Sequence, residues 1–188
     1  MLSLLMAGTM SVCISGGDVW AENTVKLTSD TVYNVIGEIP ASIEMNGHNI
    51  ISNVMLNADN AGLSIIGTDM ENLTINGEGL QFAVAAQSSS NAKVLISNVK
   101  KVDITGNVTN DSLLHSNING AIIFDKVGLF NITTEKSIGL HAQGGLIYID
   151  ADAVSIKSKD ENAIWAQLSN CSGDYPSDVK IKSSGDIT

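Results

Sequence analysis

Three short apolar alternations recur in a fixed order along most of this chain, and that recurrence limits the folds open to it. The first reads Leu63-Ser64-Ile65, Val94-Leu95-Ile96, Ile122-Ile123-Phe124, Ile147-Tyr148-Ile149 and Val179-Lys180-Ile181. Seven to ten residues later comes the second, as Leu73-Thr74-Ile75, Val102-Asp103-Ile104, Phe130-Asn131-Ile132 and Val154-Ser155-Ile156. The third reads Val84-Ala85-Ala86-Gln87, Leu114-His115-Ser116-Asn117, Leu140-His141-Ala142-Gln143 and Ile164-Trp165-Ala166-Gln167, with steps of 30, 26 and 24 between its last residues.

Each alternation has the period of two expected of a strand with one buried face. Three such strands cannot bury their inner faces alone, but coils stacked along an axis share one continuous core. The pattern predicts an all-β fold, a right-handed parallel β-helix with three short strands per coil and ~4.8 Å between coils. Turn residues fall where corners are needed, at Asn76-Gly77, Thr105-Gly106-Asn107, Gly144-Gly145 and Ser172-Gly173-Asp174. Gln87, Asn117, Gln143 and Gln167 take the same place on successive coils, which predicts a column of amides donating to one another. The alternative is surface amides with no mutual contact.

The composition agrees with stacked layers. Aromatics make up only 4% of the chain against 44% hydrophobic residues, so the core is built from Ile, Val, Leu and Ala. There are 20 acidic residues against 10 basic ones, all Lys, and an acidic surface with no Arg argues against nucleic acid as a partner.

Residues 1–21 read as an export signal, with an apolar run from Leu2 to Ile14 and a cleavage-like Val19-Trp20-Ala21 before Glu22. Its basic n-region is missing, so the true start lies upstream or this beginning is mis-set. A buried first helix is the alternative, opposed by Gly16-Gly17, and the run is too short for a membrane anchor. With Cys13 inside the signal, Cys171 stands alone and no internal disulfide is expected.

Residues 22–62 are expected to form irregular N-terminal cap coils, with strands at Thr24-Val25-Lys26-Leu27 and Thr31-Val32-Tyr33-Asn34-Val35. Residues 63–188 are expected to form the regular coils. At the far end the sequence reaches Ile187-Thr188 just after a first strand, which leaves the last coil incomplete and implies a fragment of a longer polypeptide or an assembled chain.

The stretch Ser42-Ile43-Glu44-Met45-Asn46-Gly47-His48-Asn49-Ile50-Ile51 resembles the opening coil of secreted pectate-lyase-like β-helices. Together with the export signal and the degenerate Val-x-Ile coils, it makes the chain similar to the passenger segment of a bacterial autotransporter (type V secretion) adhesin. That resemblance implies a secreted or surface-displayed protein, held to the outer membrane only through a C-terminal barrel that this sequence lacks. It also implies a host or bacterial surface protein, or a glycan, as partner. Polysaccharide lyases and hydrolases share the fold.

Four groups merit weighing as sites. Ala85, His115, His141 and Trp165 form an outward column; two imidazoles could share a divalent metal and the indole could stack on a sugar. Without an acidic or thiolate ligand nearby that set is incomplete, and a solvated face is the expectation. Leu95, Ile123 and Tyr148 form an apolar stripe that is either sticky or covered. Asp125, Asp150 and Asp152 follow equivalent strands and could converge for calcium or acid–base work. The lack of Arg, with only Lys126 and Lys157 in its place, favours a solvated acidic corner. The insertion Leu168–Asp178, which carries Cys171, is a natural place for recognition. Asn-x-Ser/Thr motifs at Asn72, Asn107, Asn110 and Asn131 follow from composition alone. The reading is therefore a non-enzymatic adhesin or structural stalk with no catalytic residue, no metal and no cofactor. The alternative is a carbohydrate-active enzyme using Asp125, Asp150 and Asp152.

Overall fold

A computed structural model describes residues 24–58, 62–87, 92–167 and 177–188. The export signal, Cys171 and most of the 168–178 insertion lie outside the described residues. In chain order the strands are β1 (Thr24–Lys26), β2 (Thr31–Tyr33), β3 (Ser42–Glu44), β4 (Ile50–Ser52), β5 (Leu56–Asn57), β6 (Gly62–Ile66), β7 (Asn72–Asn76), β8 (Val84–Ala86) and β9 (Lys93–Ser97). They continue as β10 (Lys101–Thr105), β11 (Ser112–Asn117), β12 (Ala121–Thr134), β13 (Ile138–Gln143), β14 (Leu146–Ser158), β15 (Ile164–Gln167) and β16 (Asp178–Ser183). Among the described residues there is no helix, and the parallel strands stack as a β-helix of about five turns.

All three predicted alternations stack in register. In the first column Leu63 pairs with Val94, Val94 with Ile122, Ile122 with Ile147 and Ile147 with Val179. In the second, Leu73, Val102, Phe130 and Val154 align; in the third, Val84, Leu114, Leu140 and Ile164. β12 and β14 each run through the first two columns without a break, which joins those columns into one sheet while the third remains separate. The segment before Leu63 keeps the same columns: Ile43 pairs with Ile65, Ile50 with Leu73 and Leu56 with Val84. At the other end Asp186–Thr188 already pair with Val154–Ile156, so the second strand of the last coil has begun rather than being absent.

The core follows from the alternation. Ile43, Ile65, Ile96 and Phe124 fill the first column's inner face, and Leu73, Val102, Phe130 and Val154 the second's, all buried. Phe124 and Phe130 cross at 64° with ring centroids 4.6 Å apart where β12 turns the corner, an edge-to-face contact that fills the wedge between the two columns. That corner demands left-handed backbone, with Asn46 at φ 53°, Asn98 at φ 53° and Lys126 at φ 54°. Asn tolerates that region because its short polar side chain bonds locally, whereas Lys has no such compensation. Lys126 also lies in the interval between Phe124 and Val127 where β12 slips register against β14.

Polar ladders do run along the coils, but not where the amide column was expected. Gln143 is in register with Asn117 and with Gln167, yet among the described residues no side-chain hydrogen bond joins Gln87, Asn117, Gln143 and Gln167. The Asn117 carboxamide oxygen accepts instead from the Ile118 amide at 2.8 Å. What the repeat conserves is the small residue before each amide. Ala86, Ser116 and Ala142 are fully buried, and the corners at Gly120 and Gly145 press against them, the Ala86 carbonyl and the Ser116 hydroxyl occupying the space a Cβ would need. The bonded ladder lies at another corner: Asp30 accepts from the Asn49 amide at 2.8 Å, and Asn49 Oδ1 accepts from the Asn72 backbone at 2.8 Å and its side chain at 3.1 Å.

Candidate functional site

The third column carries the densest chemistry among the described residues. Ala85, His115, His141 and Trp165 align on successive coils, as the alternation requires of residues facing away from the axis. They do not form the solvated face expected of them. His115 and His141 are buried, the latter only 3% exposed. The cause is ring stacking along the column. Phe82 lies over His115 with centroids 4.5 Å apart, His141 meets His115 edge-on at 5.1 Å, and Trp165 lies nearly parallel to His141 at 4.8 Å. Each ring shields the next from water, and only Trp165 at the end is substantially open, at 41%.

An acid also stands beside the two imidazoles, which the sequence alone did not reveal. Asp111 sits in the turn before β11, and its carboxylate reaches both rings: Oδ2 lies 2.7 Å from His141 Nδ1 and Oδ1 3.6 Å from His115 Nδ1. Ser112 Oγ donates to Asp111 Oδ1 at 2.9 Å and lies 3.4 Å from His115 Nδ1. The donor atoms of Asp111, His115 and His141 all fall within 4.8 Å of one another. Burial pulls the His115 imidazole below its ordinary range, Asp111 opposing the fall and His141 adding to it. With the carboxylate at Nδ1, that nitrogen is the one that donates to Asp111. Nε2, the other nitrogen of the ring, is buried without a partner.

The signal in the sequence was the spacing Asp111-x-x-x-His115. Asp111 itself falls outside the strand alternation, in a turn, where no periodicity fixes the direction of its side chain.

The other candidates resolve differently. Asp125, Asp150 and Asp152 do not all converge: Asp125 and Asp150 lie near Tyr148 and Lys182, while Asp152 is engaged elsewhere. Asp150 is bound by Lys182 at 2.6 Å and accepts from the Tyr148 hydroxyl at 3.3 Å, whereas Asp152 accepts from Ser184 at 3.2 Å. Burial raises the Tyr148 phenol, and the nearby Asp150 and Asp125 charges raise it further. Lys126 and Lys157 are both exposed. Leu95, Ile123 and Tyr148 do stack, each half-buried. Asn72, Asn107 and Asn131 spend their side chains on coil-to-coil bonds with Asn49, Glu78 and Asp103.

Glu71, which no motif singled out, is the most heavily bonded acid described. It is buried just before β7, and Oε1 accepts from the Gly47 amide at 2.7 Å and the Thr68 hydroxyl at 2.8 Å. Oε2 accepts from the amides of Thr68 at 2.7 Å and Met70 at 3.1 Å. Burial pushes its carboxyl upward, but the bonds from Thr68 and Gly47 outweigh this and hold it at about 2. It ties the corner of one coil to that of the next. Thr68-Asp69-Met70-Glu71 has the spacing of a capping box, here in a turn that leads into a strand.

Comparison with protein-family models, with curated proteins and with solved structures found no match.

Proposed function

We propose that this chain is a non-enzymatic β-helix segment of a secreted or surface-displayed bacterial protein, of the autotransporter-passenger kind, serving adhesion or acting as a stalk. The observation that carries this reading is the register that the strand columns keep from coil to coil, with a single slip between β12 and β14. Three strand columns run through the described coils around a continuous, mostly aliphatic core, while Asp150 and Asp152 are engaged separately, by Lys182 and by Ser184. A solenoid of this kind gains length by adding coils, each contributing ~4.8 Å and burying its neighbour's open face. Such a design suits presentation of a surface at a distance. The Leu95–Ile123–Tyr148 stripe and the exposed face of Trp165 are the surfaces available for a protein or glycan partner.

The test is a glycan array and a surface pull-down with the full chain, over host-cell, bacterial and matrix preparations. Retention on at least one class of surface, reduced by Trp165→Ala or Tyr148→Ser, is the expected result. Absence of retention on every surface counts against adhesion. Cleavage of an acidic polysaccharide, abolished by Asp150→Ala, would replace the reading with a carbohydrate-active one.

A further inference from the structure

The His115–His141–Asp111 cluster goes beyond a scaffold role. We propose that Asp111, His115 and His141 form a binding site for a divalent transition metal of the zinc, cobalt or nickel type, bridging two neighbouring coils of the β-helix.

The donor set is the first reason. Two imidazole nitrogens and one carboxylate suit borderline transition metals, whereas calcium and magnesium prefer oxygen-rich shells. Geometry is the second. Both imidazoles present Nδ1 to the same carboxylate, at 2.7 Å and 3.6 Å, and all three donors lie within 4.8 Å. Bonds of ~2.0–2.1 Å to each donor place neighbouring ligand atoms roughly 3 Å apart, so a metal would open the 2.7 Å contact and draw in the wider separations, which reach up to 4.8 Å. Preorganisation is the third. Phe82 and Trp165 clamp the two rings from either side, so the imidazoles are held in place before any ion arrives. Asp111, by contrast, is 40% exposed and lies in a turn, which gives an ion its way in and lets the carboxylate adjust.

Hydrogen bonding alone gives a poor account of the cluster. Two buried rings share one carboxylate, which lies close to only one of them, 2.7 Å from His141 Nδ1 and 3.6 Å from His115 Nδ1. With a metal on Nδ1, His141 stays a neutral imidazole whose single proton sits on Nε2. Three protein ligands leave one position of a tetrahedral shell for water or an external donor.

The experiment is a cobalt titration of the full chain carrying Trp20→Phe, Cys13→Ser and Cys171→Ser, so that Trp165 is the sole indole and no thiol competes. The expected result is one equivalent bound, visible d–d absorption of a four-coordinate ion, and quenching of Trp165, whose ring lies 4.8 Å from that of His141. Zinc should displace cobalt, and millimolar calcium should not. His141→Gln and Asp111→Asn should each weaken binding ~10–100-fold, while His48→Gln should leave it unchanged. Circular dichroism identifies variants that retain the fold. Should His141→Gln fail to fold, His115→Gln and Asp111→Asn carry the test. No binding at 100-fold excess cobalt would overturn the proposal. So would binding unaffected by these variants, or displacement by calcium.

Discussion

Replacing Glu71 with Gln removes one charge from a site where four donors converge on a buried carboxylate. The depression of its carboxyl from 4.5 to about 2 corresponds to roughly 3 kcal/mol of preference for the ionised form in the folded state. Because the corner lies close to solvent, water and salt screen part of this, and ~2 kcal/mol is the working figure. A Gln in this position also turns an NH2 group toward donors that need an acceptor, which adds about 1 kcal/mol of unmet bonding. The predicted loss at pH 7 is therefore ~2–3 kcal/mol, measured as a lower urea midpoint. Local amide exchange in β4 and β7 should report the same coils loosening first. The pH dependence has a definite sign. A carboxyl depressed on folding stabilises the protein above its unfolded pKa, and that contribution disappears as pH falls through the folded value. The gap between wild type and Glu71→Gln should thus be constant above about pH 5.5 and narrow steadily between 4.5 and about 2. A gap below 0.5 kcal/mol at pH 7, or one that does not change with acid, would refute the assignment of Glu71 as an ionised clamp.

Other consequences can be measured in the same way. Phe130→Ala should cost ~3–5 kcal/mol, because its ring is fully buried against Phe124 and the wedge between two continuous strands cannot close around the void. Thermal denaturation should show Lys126→Gly stabilising by about 1 kcal/mol, since an exposed Lys at φ 54° carries a backbone penalty that Gly lacks; destabilisation would show that the Lys side chain has a role at the corner. Gly120→Ala should destabilise by at least ~2 kcal/mol, since the new methyl would strike the Ala86 and Asn117 carbonyls. Asn49→Ala should cost ~1–2 kcal/mol by breaking the Asp30–Asn49–Asn72 ladder, leaving the Asn72 amide without its acceptor.

The strand columns were legible in the sequence because a parallel β-helix writes one inward residue in every two at the same places in each coil. Val94, Ile122 and Ile147 had to align once the coil length was known, and they do. The third phrase was found for the right spacing and explained by the wrong contact. Its recurring Ala or Ser is fully buried at Ala86, Ser116 and Ala142, and the amides that follow are simply the next residues out. The cap segment before Leu63 looked irregular because its strands shorten to two or three residues, too few for alternation to show. The candidate site was half legible. His115 and His141 were placed correctly on adjacent coils, but their burial depends on Phe82 and Trp165, whose rings cover them from neighbouring coils. Asp111 and Glu71 both act from turns, where no periodicity tells which way a side chain points.

Everything above depends on register between residues far apart in the chain. Asp103, Asn131 and Ser155 face outward at one height of three successive coils. Spin labels at Asp103→Cys and Ser155→Cys, in a background with Cys13 and Cys171 replaced by Ser, therefore sit on backbones two coils apart, ~10 Å. Strong dipolar broadening of the spectrum is the predicted result. A spectrum equal to the sum of the two singly labelled proteins would contradict the coil register, and with it the alignment of His115 with His141.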